Sequence, residues 1–197
     1  MSDEIEILIQ KLKTLEDEIE TTIEAKKAKF YQGIQDGKAV FDEATKKAQR
    51  KVKIGIDKYI FKSKFATIIT APIIYGMIIP FVILDIALGV YQLCCFTAWQ
   101  IPRVKRSKYI VIDRQYLDYL NIIEKINCVY CGYGNGLMAY GREVAGRTEQ
   151  YWCPIKHAMK TKTPHDHYKN FVEYGDFESY KAQLEKLRDD LRKLKDN

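Results

Sequence analysis

The sequence predicts a mainly α fold with a membrane-hairpin anchor, coiled-coil-like helices at both ends and a small Cys3His zinc module. Three observations carry that expectation. Between Phe65 and Pro102 the only ionisable acid or base is Asp85, while both flanks are rich in Lys and Arg. Apolar residues recur at heptad spacing in the first and last stretches of the chain. Cys128, Cys131, Cys153 and His157 stand at the separations of small metal modules. The segments expected are a heptad helix over 1–32, a basic amphipathic helix over 38–64, the membrane hairpin over 65–102, the zinc module over 103–175 and a second heptad helix over 176–197.

In the first segment Ile5, Leu8, Leu12, Leu15, Ile19 and Thr22 alternate at spacings of three and four, with Glu and Lys between them. That is about the three heptads a coiled coil needs. Gly33 and Gly37 then interrupt the helix. From Lys38 the pattern resumes, with Val40, Phe41, Ala44, Ala48, Val52, Ile56 and Tyr59 on one face. Lys46, Lys47, Arg50, Lys51 and Lys53 mostly take the other. Such a helix lies along lipid headgroups or packs on a coiled-coil partner, and the residues leave both readings open.

Charge follows the same division. The net charge of +6 is unevenly placed: residues 1–20 are acidic, and residues 21–64 hold twelve Lys or Arg against five acids. Arg103, Lys105, Arg106 and Lys108 follow the apolar stretch directly. Basic charge crowded around hydrophobic sequence points to anionic headgroups as partners and away from nucleic acid. The acidic first twenty residues lack the basic and apolar regions of a signal peptide, so an untranslocated N-terminus is expected. The cysteines then meet a reducing compartment, where a cluster reads as metal-binding or catalytic before it reads as disulfides.

Residues 65–102 number 38. One crossing takes about 20 apolar residues, and Pro72 and Pro80 would break a single helix. Two short spans turning near Pro80–Asp85 are expected, with a re-entrant hairpin in one leaflet as the alternative. Either places both termini and the metal module on one side, which the basic flanks make the cytoplasmic one. Asp85 falls at the turn, near the far interface, where a carboxylate costs little. Cys94 and Cys95 read as packing residues. Residues 109–127 read as a helix through Ile112, Tyr116, Tyr119 or Leu120, and Ile123. The final helix carries Phe177, Tyr180, Leu184, Leu187, Leu191 and Leu194, with Asp176 as its N-cap. The two heptad helices either pair with each other or zip onto a protein partner or further copies of the chain.

A Cys-x2-Cys pair at 128–131 turns two thiolates to one ion, and Cys153 with His157 offers a second pair. Four such ligands make a closed tetrahedral zinc site, structural in kind. A thiol–disulfide site would want a βαβ setting, and residue 132 is Gly where a c-type haem motif has His. Gly132, Gly134 and Gly136 with Asn135 read as a turn-rich stretch, followed by a helix over Leu137–Tyr151. There Glu143, Arg147 and Gln150 share a face flanked by Arg142 and Glu149. These are candidate ligands for a lipid phosphate or a carboxylate, or simply an i,i+4 pair steadying a helix. His165-Asp166-His167 is a second metal site, a replacement for His157, or a polar loop.

The stretch RTEQYWCPIKHA (147–158), with Glu173-Tyr-Gly-Asp176, resembles a group of bacterial membrane-associated proteins that carry a short apolar segment. That resemblance covers roughly the second half of the chain. It implies a bacterial inner membrane and no activity.

The role expected is a zinc-stabilised adaptor or scaffold, or an oligomeric component, at the cytoplasmic membrane face. The competing expectation is a membrane-interface enzyme acting on a lipid or thiol. It would use Cys128 and Cys131, or an open metal site, with Glu143 as acid or base and Arg142 or Arg147 as anion binder. No Walker loop, dinucleotide fingerprint or Ser-His-Asp pattern occurs.

Overall fold

The computed structural model describes residues 2–27, 33–35 and 38–194, and the protein is mainly helical. Its contacts separate two units, Met1–Lys62 with Asp113–Lys125 and Ser63–Ile112 with Ile126–Asn197.

In the first unit, α1 (Ser2–Lys27) carries the expected apolar stripe, and Leu8, Leu12, Leu15 and Ile19 are exposed along it. The Ile5 side chain, residues 28–32 and Gly37 lie outside what is described. Strand β1 (Gly33–Gln35) pairs antiparallel with β2 (Lys38–Val40), Gly33 opposite Val40. The expected helix over 38–64 is therefore divided. Its first residues are strand, α2 (Glu43–Val52) follows, and α3 (Ile56–Lys62) starts after a break. Asp42 sets the start of α2 by accepting the Thr45 N–H at 2.8 Å. Gly55, the weakest helix former in the segment, sits in the break. Arg50 of α2 donates to Asp118 at 2.8 Å.

The expected helix over 109–127 starts only at Ile122. Asn121 accounts for the late start. Its side chain accepts the Glu124 N–H at 3.0 Å, and the Glu124 carboxylate accepts the Asn121 N–H at 2.9 Å. This reciprocal cap fixes a helix end that periodicity alone does not mark.

In the second unit the apolar segment does not turn back at Pro80–Asp85. α4 (Phe65–Gly76) leads through Met77 into α5 (Ile78–Tyr91), which continues by a wide turn at Gln92–Phe96 into α6 (Thr97–Trp99). Phe65–Trp99 is thus one helix, long and apolar enough to cross a membrane. Pro80 is harmless because it lies in the first turn of α5, where backbone N–H groups have no helical acceptor. The reversal comes instead at Gln100, whose left-handed φ of 59° lets the Ile101 N–H donate to Phe96 at 2.8 Å. The residues expected to form the hairpin's second leg instead continue the same helix to Trp99, and the polar return segment follows Gln100.

From Ile126 onward α7 (Ile122–Trp152) runs alongside this helix in the same direction. Tyr130 donates to the Ile74 carbonyl at 2.6 Å, the Tyr91 and Thr148 hydroxyls lie 3.0 Å apart, and Tyr151 stacks on Trp99 at 5.4 Å. Gly132, Gly134 and Gly136 lie inside α7 and make no turn. A Cβ at Gly136 would sit 2.6 Å from the Tyr109 carbonyl oxygen, and one at Gly134 would meet the Phe81 ring at 2.9 Å. Close approach, not chain reversal, is what these glycines supply.

The core joins Phe96, Ile101, Val104, Leu137, Tyr140, Val144 and Leu191. Leu191 comes from α8 (Phe177–Arg192), which Asp176 caps by accepting the Ser179 N–H at 3.0 Å. With Leu187 and Leu191 buried here, the inner half of the second heptad seam is used within its own unit. It is not left for a coiled coil.

Two glycines give opposite predictions. Gly136→Ala should lower the thermal midpoint in detergent although alanine favours helix by up to about 1 kcal/mol. Gly89→Ala, where an added Cβ meets nothing within 4 Å, should leave the midpoint unchanged or raise it.

Candidate functional site

Beyond Gly141 the α7 sequence becomes polar, and Glu143, Gly146, Arg147 and Gln150 fall on its inward face. Arg147 is only 4% exposed. Its Nε donates to Glu143 Oε1 at 2.7 Å, and its Nη1 donates to the Pro102 carbonyl at 2.7 Å. His167 Nε2 reaches the same Glu143 oxygen at 3.0 Å, and His165 Nε2 reaches Glu149 Oε2 at 2.8 Å. Carboxylates only accept, so Nε2 carries the proton in both rings. The two rings lie 5.8 Å apart over Gly146, where a Cβ would come within 2.8 Å of His165 Nδ1. Arg142 adds a hydrogen bond to the Pro164 carbonyl. The loop bearing His165 and His167 is thereby clipped to α7 at three points.

Burial pushes the Glu143 carboxyl up, but the hydrogen bonds from His167 and Arg147 outweigh it and hold the carboxyl at about 2. Glu143 therefore stays ionised across the physiological range. Of the candidate binding residues, Gln150 is buried and donates to the Leu187 carbonyl at 2.9 Å. The face read as a ligand site binds its own chain.

The four residues expected to hold zinc do not fit one ion. Cys128 and Cys131 lie in the first half of α7, and Cys153 follows its last residue. A continuous helix separates Cys131 from Cys153 by about 33 Å, whereas ligands on one zinc stand within about 5 Å of each other. His157 stacks on Tyr168 at 6.0 Å. Among the described residues no three His, Cys, Asp or Glu side chains gather to hold a metal. The enzymatic grouping separates in the same way, since Cys131 and Glu143 are about 18 Å apart along the helix.

A second polar arrangement lies along the apolar helix. Arg106 grips Asp85 through Nε at 2.9 Å and Nη2 at 2.6 Å, and the Tyr133 hydroxyl donates to it at 3.0 Å. Seven residues on, buried Gln92 accepts the Val104 N–H at 2.6 Å and donates to the Tyr140 hydroxyl. The sequence reading passed over Gln92. Its signal is the sevenfold spacing from Asp85, which puts the two polar residues on one side of an otherwise apolar helix.

Glu143→Gln supplies a pH test. A carboxyl held below its ordinary 4.5 stabilises the fold fully above that pH and loses the contribution as pH falls toward 2. Wild-type unfolding free energy should fall more steeply than that of Glu143→Gln over this window, by a difference on the order of 3 kcal/mol in denaturant titrations.

No family model matches the chain, and no curated protein or solved structure matches it either.

Proposed function

We propose that this chain is a membrane-anchored adaptor. The outer face of the 65–99 helix lies in lipid, and α1 offers its apolar stripe to a second copy. The observation that carries the reading is the two-sidedness of that helix. Phe81, Asp85, Leu88, Gln92 and Phe96 turn toward protein, while Ile73, Ile79, Ile83, Ile86, Val90 and Leu93 are exposed. A continuous exposed apolar face of this extent marks a lipid or protein contact. The basic return segment beside it favours lipid.

The helix is embedded along its length in one leaflet, with protein on its other side, as an interfacial anchor. Its companions on α7 begin at Ile74 and Tyr75. Residues 65–73 before that point, about 14 Å of helix, are exposed apart from half-buried Ala71. That is roughly half the hydrocarbon thickness a bare span must cross. On α1, Leu12 and Leu15 take the inner heptad positions and Lys11 and Glu16 the flanking ones. A parallel second copy sets Lys11 against Glu16 of its partner, an attractive pairing.

An alkaline carbonate wash tests the anchor. Full-length protein should stay with membranes, and the Ile83→Asp, Val90→Asp double variant should move largely to the soluble fraction. Each carboxylate placed in hydrocarbon costs up to about 3 kcal/mol, the value at the bilayer centre. Complete release of the wild type would end the reading. For α1, Leu12→Asp with Leu15→Asp should reduce the detergent-solubilised protein to monomer by light scattering, with membrane retention unchanged. A wild type already monomeric would remove the second copy from the account.

A further inference from the structure

We propose that a cleft beside the outer face of the 65–99 helix binds the phosphate of an anionic phospholipid, an inference that rests on the membrane reading above. The cleft has a volume of about 520 Å³ and is lined by Gly89, Gln92, Arg103, Val104, Lys105 and Tyr140. That size suits a small ligand or a headgroup.

Its chemistry is one-sided. Arg103 and Lys105 are exposed at its rim, and no lining residue is acidic. Asp85, one turn before Gly89, is already gripped by Arg106 and Tyr133. The floor is fixed. Gln92 holds the Val104 N–H, so the backbone between the two cations is pinned. The Tyr140 hydroxyl accepts from Gln92, which fixes its ring at the floor of the cleft. Arginine takes a phosphate with two parallel hydrogen bonds, and lysine adds a point charge.

The wall explains why the phosphate belongs to a lipid. At Gly89 an added Cβ would meet nothing within 4 Å. Gly89 shares a helix face with Ile86 and Leu93, both exposed. The cleft therefore opens onto the surface that faces acyl chains. A headgroup at Arg103 and Lys105 leaves its chains lying along Ile86, Val90 and Leu93.

The test reconstitutes full-length protein into phosphatidylcholine vesicles with and without phosphatidylglycerol, re-extracts it in detergent and counts retained lipid by mass spectrometry. Wild type should retain phosphatidylglycerol preferentially. Arg103→Gln should weaken retention about fivefold, and Arg103→Gln with Lys105→Gln roughly 30-fold. Gly89→Leu keeps every charge and suits a helix, yet should lose retention by filling the cleft. Lys62→Gln with Lys64→Gln should keep it.

Wild type that enters neutral vesicles but retains no phosphatidylglycerol overturns the site and leaves the anchor standing. Equal loss in the Lys62, Lys64 variant also overturns the site, by reducing it to diffuse attraction. Displacement of the retained lipid by glycerol 3-phosphate in the wash overturns the lipid source and assigns the cleft to soluble phosphates. Failure of wild type to enter neutral vesicles at all ends the anchoring reading, and this proposal with it.

Discussion

Asp85 is the sole acid between Phe65 and Pro102, and its pairing with Arg106 is the contact on which the second unit depends. A carboxylate left alone against hydrocarbon costs several kcal/mol. Both of its oxygens are instead taken up by one guanidinium and a tyrosine hydroxyl. To deliver Arg106 there the chain must reverse at Gln100 and run back along the helix it has just left. That return brings the Val104 N–H to Gln92 and the Pro102 carbonyl to Arg147. One ion pair thus fixes the path that satisfies two buried polar side chains, and it decides which flank of the apolar helix is left exposed.

The glycines of α7 let the remaining pieces close on that frame. Gly134 admits Phe81 of the apolar helix, Gly136 admits the return segment, and Gly146 lies under the His165 and His167 rings. Three surroundings approach one helix backbone at van der Waals distance. The Glu143–Arg147–His167 cluster then acts as a clip holding a loop to a helix, its hydrogen bonds used between protein groups. Arg103 and Lys105, both exposed, stand where the return segment meets the exposed face.

Much of the fold was legible from residue type. An apolar run with one acid announces a long apolar helix, and Asp176 announces the start of α8 because a short carboxylate there accepts a backbone N–H. What could not be read was set by partners distant in sequence. Pro80 in a first turn and Pro80 in a break look alike in a sequence. The partner of Asp85 lies 21 residues on, so the carboxylate read as the tip of a turn. Gly132, Gly134 and Gly136 with Asn135 carry strong local turn signals, which tertiary close packing overrides. The zinc expectation rested on the spacing of the Cys and His residues, which does not register the path of the chain between the two pairs. A loop between Cys131 and Cys153 would let the two pairs meet, and an unbroken helix keeps them apart.

Nitroxide labels at positions 73, 83 and 90, in protein whose native cysteines are replaced by serine, test the central claim most directly. Depth is read from accessibility to oxygen and to a water-soluble relaxant in reconstituted membranes. An anchor lying along one leaflet predicts similar, shallow depths at all three sites. A progression from one interface through the bilayer centre would instead make the segment a crossing helix, and would contradict the account.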